Sequence, residues 1–240
     1  MNSHAIISGA GSGVGQAVAV ALVERGWRIS IVGRRAEALQ QTIAKVGAEH
    51  ADAYPLDIGD VGAVNAAVAA AIRKHGGVNA LVNAAGNNVA RRSFEELAYE
   101  DWRALLDANL NGVYHLVSAT LPSMRAQRAG TIVNIGSEAA LRANAKAGPA
   151  YVASKFAVSG LTQAINAEEQ RHGIRACAIH PGDIDTPLLD KRPLPPSAAA
   201  RASMLRPEDV AACVLLALEL PAHAVIEELV VRPRSVTPPG

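Results

Sequence analysis

The stretch His4-Ala-Ile-Ile-Ser8-Gly9-Ala-Gly11-Ser12-Gly13-Val14-Gly15 decides the fold. A short run rich in isoleucine ends in alternating glycines, and a segment with apolar residues at helical spacing, Gly13–Arg25, follows at once. A strand that turns directly into a helix points free backbone N–H groups and the positive end of that helix at one place, where a phosphate can sit. Glycine is needed there because a Cβ would block the backbone from a pyrophosphate. The common G-x-G-x-x-G spacing fails, at Val14 counted from Gly9 and at Gln16 counted from Gly11. The spacing that fits is G-x-x-x-G-x-G on Gly9, Gly13 and Gly15. A tight turn that only packs a helix on a sheet could use the same residues. Its place at the first strand-to-helix turn favours a nucleotide, with Gly9, Ser12, Gly13, Val14 and Gly15 against it.

Outward from that turn, the chain repeats the same alternation. Strand-like runs lie at His4–Ser8, Arg28–Val32, Ala80–Asn83, Thr131–Ile135, Ile174–Ile179 and Ile226–Val231, with a weaker one near Ala51–Leu56. Helical spacing fills Gly13–Arg25, Arg35–Val46, Asp60–His75, Asp101–Arg128, Tyr151–His172 and Pro207–Leu218. This alternation predicts a doubly wound α/β fold of about seven parallel strands with helices on both faces. No repeat or linker divides it, so residues 1–240 are expected to form one dinucleotide-binding domain. Only Asp185–Arg206, rich in proline and alanine, follows neither period, and it is expected to be a lid or binding loop. Leu188, Leu189, Met204 and Leu205 would supply its apolar cover. The tail after Arg232 is expected to be disordered or loosely docked.

Composition removes other classes. Half of the residues are hydrophobic and only 3% aromatic. The longest apolar run, Val210 to Leu218, is too short for a membrane span. Glycines interrupt the N-terminal apolar stretch, which argues against a secretory signal. Cys177 and Cys213 are far apart in sequence and no C-x-x-C occurs, so a reduced, cytoplasmic setting is expected. A net charge of +1 gives no reason to expect nucleic acid. The seven histidines form no H-x-x-x-H pattern, and no metal site is expected. Arg91-Arg92 and Glu95-Glu96 read as solvated charges around a helix start. Asn87, Asn88, Arg91, Arg142 and Asn144 are near enough to the turns to reach a ligand, and His180 is expected to shape a wall of the site.

In a dinucleotide fold, an acidic residue at the end of the second strand binds the ribose 2′-hydroxyl of NAD. Here that position reads Gly33-Arg34-Arg35. Two guanidiniums match a 2′-phosphate with forked, charge-assisted bonds, which favours NADP and leaves NAD possible.

Tyr151 and Lys155 share one face of a predicted helix. A free phenol titrates near pH ~10, and serving as proton donor and acceptor to an alcohol or carbonyl calls for a cation nearby. An exposed helical pair would look the same in sequence. The strand Thr131–Ile135, however, delivers Ser137 to the ligand crevice, where its hydroxyl can bond a carbonyl oxygen as charge develops.

Taken together, these motifs resemble the short-chain dehydrogenase/reductase family over about residues 4–232. The glycine motif matches Ser8-Gly9-x-x-x-Gly13-x-Gly15, and the family's acidic adenine contact falls on Asp57 in Leu56-Asp57-Ile58. The N-N-A-G motif reads Asn83-Ala84-Ala85-Gly86, the active-site asparagine falls on Asn109, and the nicotinamide segment reads Pro181-Gly182-Asp183-Ile184-Asp185-Thr186. The resemblance implies a Rossmann fold and hydride transfer between NADP(H) and a small carbonyl or alcohol. Tyr151 would be the proton donor, Ser137 the group that polarises the carbonyl, and Lys155 the cation that lowers the Tyr151 pKa and binds the ribose. Asn109 would hold a water in a proton relay. It also implies a homodimer or homotetramer joined through the Tyr151 helix. Two departures stand out: Gly136 precedes Ser137 where many relatives have a second serine, and the C-terminal IEELVVRP lacks a D-G-G. A non-catalytic dinucleotide sensor or scaffold of the same fold is the competing reading. A nucleotide-sugar epimerase or a methyltransferase fits less of the motif set.

Overall fold

The computed structural model describes residues 3–234. Seven strands form one wholly parallel sheet: β1 His4–Ser8, β2 Arg28–Gly33, β3 Ala51–Pro55, β4 Ala80–Asn83, β5 Gly130–Ile135, β6 Ile174–Pro181 and β7 Glu228–Val231. Their order is β3-β2-β1-β4-β5-β6-β7. The chain winds outward from β1 to β3, then crosses back to β4 and winds the other way. That reversal leaves a crevice at the carboxyl ends of β1 and β4, where an open α/β sheet takes its ligand.

Period-two alternation sends each strand's side chains to opposite layers. Ile7, Ile31, Val82, Val133 and Ile179 face a layer built by α1 (Gly13–Val23), α2 (Ala36–Val46) and α8 (Pro207–Glu219). Ile6, Val32, Leu81, Ile132 and Ala176 face α3 (Val61–His75), α5 (Gly112–Gln127) and α6 (Pro149–Glu169). Because both faces are covered, the central strands are apolar at nearly every position. Among the buried polar exceptions, Asn83 donates to Asn134 and Asn134 to Thr162, each at 2.9 Å.

Helix ends follow the local chemistry. Asp60 caps α3 by accepting from Ala63 N at 3.0 Å, and Gly76 ends it in the left-handed conformation. Pro207 opens α8, and the Asp209 carboxylate accepts from Arg206 N at 2.7 Å.

Two expected elements differ. The long helix expected over Asp101–Arg128 is interrupted: α4 (Tyr99–Leu106) passes through a π-helical turn, Asp107–Asn111, into α5. One extra residue in a turn barely disturbs apolar spacing, so the interruption is silent in the sequence pattern. The Asp185–Arg206 segment is not structureless, because it holds a 3₁₀ turn, Pro187–Lys191, and a short helix α7, Ala198–Ala202. Its two ends are tied at the base, where Ile184 bridges Leu205, Asp185 N donates to Leu205 O at 2.8 Å and Leu205 N to Asp183 O at 3.0 Å. The expectation for the C-terminal tail falls mostly on residues 235–240, outside the described residues. No helix among the described residues is long and apolar enough to cross a membrane.

Candidate active site

A cleft of about 1400 Å³ runs along the carboxyl edge of the sheet, from the β1–α1 turn to the segment after Thr186. It is larger than the ~300–1,000 Å³ usual for one small ligand, which suits a dinucleotide together with a second molecule. Gly9 and Gly13 shape its floor with backbone in the left-handed region, at φ +69° and +53°. A Cβ on Gly9 would stand 2.6 Å from Ala85 N, and one on Gly15 would stand 2.5 Å from Gly9 O. Gly15 therefore packs the helix against its own turn and does not line the cleft, contrary to its expected role as a direct contact.

Ser12, Gly13, Val14, Arg34, Arg35, Asp57, Ile58, Ala84, Gly86, Pro181, Gly182, Ile184 and Thr186 all line the cleft. Asn83 does not; its side chain is buried inside the sheet, where Nδ2 donates to Asn134. Arg34 Nη1 lies 3.9 Å from Asp57 Oδ2, and both side chains are more than half exposed, so the guanidinium remains accessible.

Ser137 follows β5, and Tyr151 and Lys155 sit in the first turns of α6; all three line the cleft. Gly136 meets a specific constraint, since a Cβ there would be 2.4 Å from His180 Nδ1. His180 is fully buried behind the strand ends with Nε2 2.9 Å from Glu228 Oε1. It therefore backs the site from outside the cleft lining and explains why glycine precedes Ser137.

Burial pushes the Tyr151 phenol above its ordinary value, and the Ser137 hydroxyl, then the charges of Arg192 and Arg92, pull it back down. Lys155 is 4% exposed, and its ammonium donates to Ile135 O at 2.8 Å, with Nζ 5.7 Å from the centre of the Tyr151 ring. Burial lowers Lys155 from 10.5 to about 8. The cation is thus held by a backbone carbonyl beside the Tyr151 ring.

Asn109 stands in the π turn, is fully buried and does not line the cleft. Its amide holds the backbone of Asn87 from both sides, accepting from Asn87 N at 2.7 Å and donating to Asn87 O at 3.0 Å. It also donates to Ser154 Oγ at 3.2 Å. A Cβ on Gly86 would stand 3.6 Å from Lys155 Nζ and 3.9 Å from Asn109 Oδ1.

Leu188, Leu189 and Met204 of the Asp185–Arg206 segment line the cleft, while Leu205 belongs to the core. The segment is strapped by Arg201 to Asp185 and Asp190, by Arg192 to Asp183, and by Lys191 Nζ to Asn87 Oδ1 at 2.6 Å. Asn87, Asn88 and Asn144 reach the cleft; Arg91 and Arg142 do not. The residue sequence reasoning misread is Arg92. It is 6% exposed and lines the cleft, not a solvated charge. Arg192 was not singled out at all, and no local pattern marks either residue. Among the described residues no group of three or more histidine, cysteine or acidic side chains could hold a metal.

The comparisons agree with this geometry. The family model for short chain dehydrogenase matches residues 3–195. An oxidoreductase of Staphylococcus aureus is 31% identical over 232 residues, covering 95% of this chain and 96% of the relative. Among solved structures, the closed form of serine dehydrogenase complexed with NADP+ superposes with a TM-score of 0.90 at 26% identity, covering 99% of this chain and 97% of that one. A 3-ketoacyl-(acyl-carrier-protein) reductase from Brucella melitensis complexed with NADH gives 0.88 at 29% identity, with 97% of each chain covered. The chain belongs to the short-chain dehydrogenase family, and it is an oxidoreductase.

Proposed function

We propose that this chain interconverts a carbonyl and a secondary alcohol with NADP(H), through one dinucleotide-binding domain over residues 1–240 whose substrate loop is Asp185–Arg206. The carrying observation is that Ser137, Tyr151 and Lys155 line one cleft, with Lys155 Nζ 5.7 Å from the centre of the Tyr151 ring. A nicotinamide dinucleotide suits the residues present: side chains at Gly9 or Gly15 would collide with backbone, and the cleft is long enough for both ligands. Both solved structures described above carry such a cofactor, which supports the same reading. Arg34 and Arg35, with no acidic residue at the end of β2, favour the 2′-phosphate of NADP over NAD.

When bound, the nicotinamide supplies or accepts the hydride. The chain handles the proton. In reduction, Tyr151 gives its phenolic proton to the carbonyl oxygen, and Ser137 donates a hydrogen bond to the same oxygen as negative charge builds on it. Burial keeps the phenol protonated at neutral pH, which readies the site for reduction. In oxidation the phenolate takes the alcohol proton, so that direction gains as pH rises. Lys155 holds positive charge next to the ribose site, and Asn109 fixes the Asn87 turn beside it. Leu188, Leu189 and Met204 exclude water from the transfer. We also assign the exposed Phe156 of α6 and Tyr114 of α5 to a contact between copies of the chain, giving a homodimer or homotetramer.

Titration with NADPH and NADH, followed by a carbonyl panel with the tighter cofactor, tests this reading. Tighter NADPH binding and turnover of at least one ketone are expected. Cofactor binding with no turnover of any carbonyl or alcohol would favour a sensor of the same fold.

A further inference from the structure

Arg92 is a buried cation without a counter-ion among the described residues. Two of its five N–H donors reach backbone carbonyls, of Lys146 at 3.4 Å and of Lys191, while its buried Nε–H has no partner. The only charged or titratable groups that act on it among the described residues are Arg192 and Tyr151, and burial with the like charge of Arg192 holds its pKa below the ordinary arginine value. Keeping a charge out of water unpaired is costly, and a partner anion removes that cost.

The surroundings say where the anion would lie. Arg92, Arg192 and Tyr151 line the same cleft, and both guanidiniums act on the Tyr151 phenol. Arg34 and Arg35 follow β2, on the far side of β1 from the β5 end that presents Ser137, so the two arginine pairs serve different parts of the cleft. Arg192 is paired with Asp183, and Lys155 is held by the Ile135 carbonyl, so Arg92 is the guanidinium at this end of the cleft that no carboxylate among the described residues meets. A planar guanidinium fork matches a carboxylate.

We propose that the substrate is an oxo acid and its hydroxy acid partner, with the carboxylate held by Arg92 and Arg192 while the carbonyl carbon meets the hydride. The assignment rests on the carbonyl–alcohol reading above and names the substrate class for that site.

The test measures oxidation by the full chain with NADP+ on straight-chain 2-, 3- and 4-hydroxy acids, each paired with its methyl ester. The best acid should exceed its ester in kcat/KM by at least about thirtyfold, the scale of one buried charge-assisted pair. In Arg92→Gln the acid-to-ester ratio should collapse toward unity, with NADP+ binding measured on the same preparation to show that the protein is folded. Arg192→Gln, at a more exposed position, should lower the ratio by at least about fivefold and serves if Arg92→Gln does not fold. An ester turned over as well as its acid, or a phosphate monoester preferred to both, would overturn the carboxylate while leaving the hydride chemistry standing. Turnover of no alcohol at all, with NADP+ bound, would instead strike the carbonyl–alcohol reading.

Discussion

Lys155 donates to the carbonyl oxygen of Ile135 at 2.8 Å, which ties the first turns of α6 to the end of β5 inside the cleft wall. The bond fixes the distance between the element that presents Tyr151 and the one that presents Ser137. It also holds an ammonium where water scarcely reaches, which is why Lys155 falls from 10.5 to about 8.

The buried lysine makes stability depend on pH in a definite direction. Between pH 8 and 10.5 the unfolded chain holds this proton more tightly than the folded one, so stability rises with pH across that window. The cofactor-free wild type should gain about 2–3 kcal/mol on Lys155→Met between pH 7 and 10. Urea unfolding of both proteins at several pH values reads this directly. A gap that does not change with pH would show that the charge is not buried in solution.

Tyr151→Phe removes the proton donor and leaves the ring. Carbonyl reduction should fall by at least about 100-fold, with cofactor affinity within a few-fold of wild type. In the wild type, oxidation should speed up as pH rises above neutrality, because burial holds the phenol in its protonated form. A pH profile for oxidation that is flat to pH 10 would contradict that assignment, as would a Phe variant with ordinary turnover.

Arg34 stands half exposed beside Asp57 at the end of the cleft expected to take the adenosine. Arg34→Ala should raise the Kd for NADPH by about tenfold, the worth of one charge-assisted contact, and change that for NADH by less than about threefold. Calorimetry with both cofactors checks it, and equal weakening of the two would remove the case for a 2′-phosphate contact.

His180 occupies the space beside Gly136. Gly136→Ser should therefore cost about 1–3 kcal/mol of stability through overpacking, or roughly 2–10 °C in Tm for a chain of this size. The double variant Gly136→Ser with His180→Ala should recover part of that loss. Thermal melts of the single and double variants decide it, and additive destabilisation would mean that the two residues do not compete for space.

How far the sequence carries depends on the range over which each feature is specified. Strands, helices and the glycine turn are written in local periodicity and short spacings, and the seven strands fall within a few residues of their expected places. Ser137, Tyr151 and Lys155 were legible because each occupies a set position after a recognisable strand or on one helix face. The burial of Arg92 was not, since it depends on carbonyls 54 and 99 residues away that carry no side-chain signature. Asn83 and Gly15 lie in the right motifs, yet Asn83 turns to Asn134 and Gly15 to Gly9, choices set by packing between elements. The π turn is hidden for a simpler reason, because apolar spacing tolerates one added residue.

The bridge between Ile184 and Leu205 has an evolutionary consequence. It closes the segment over the cleft on itself at the base, so the chain enters and leaves the excursion at nearly one point. Loop-closure cost grows only slowly with length, and the pair at the base already meets most of it. Residues between Thr186 and Met204 can be exchanged, lengthened or shortened with little effect on the bed formed by Gly9, Gly13 and Thr186. The segment is thus an interchangeable excursion whose length and sequence can drift above a fixed base.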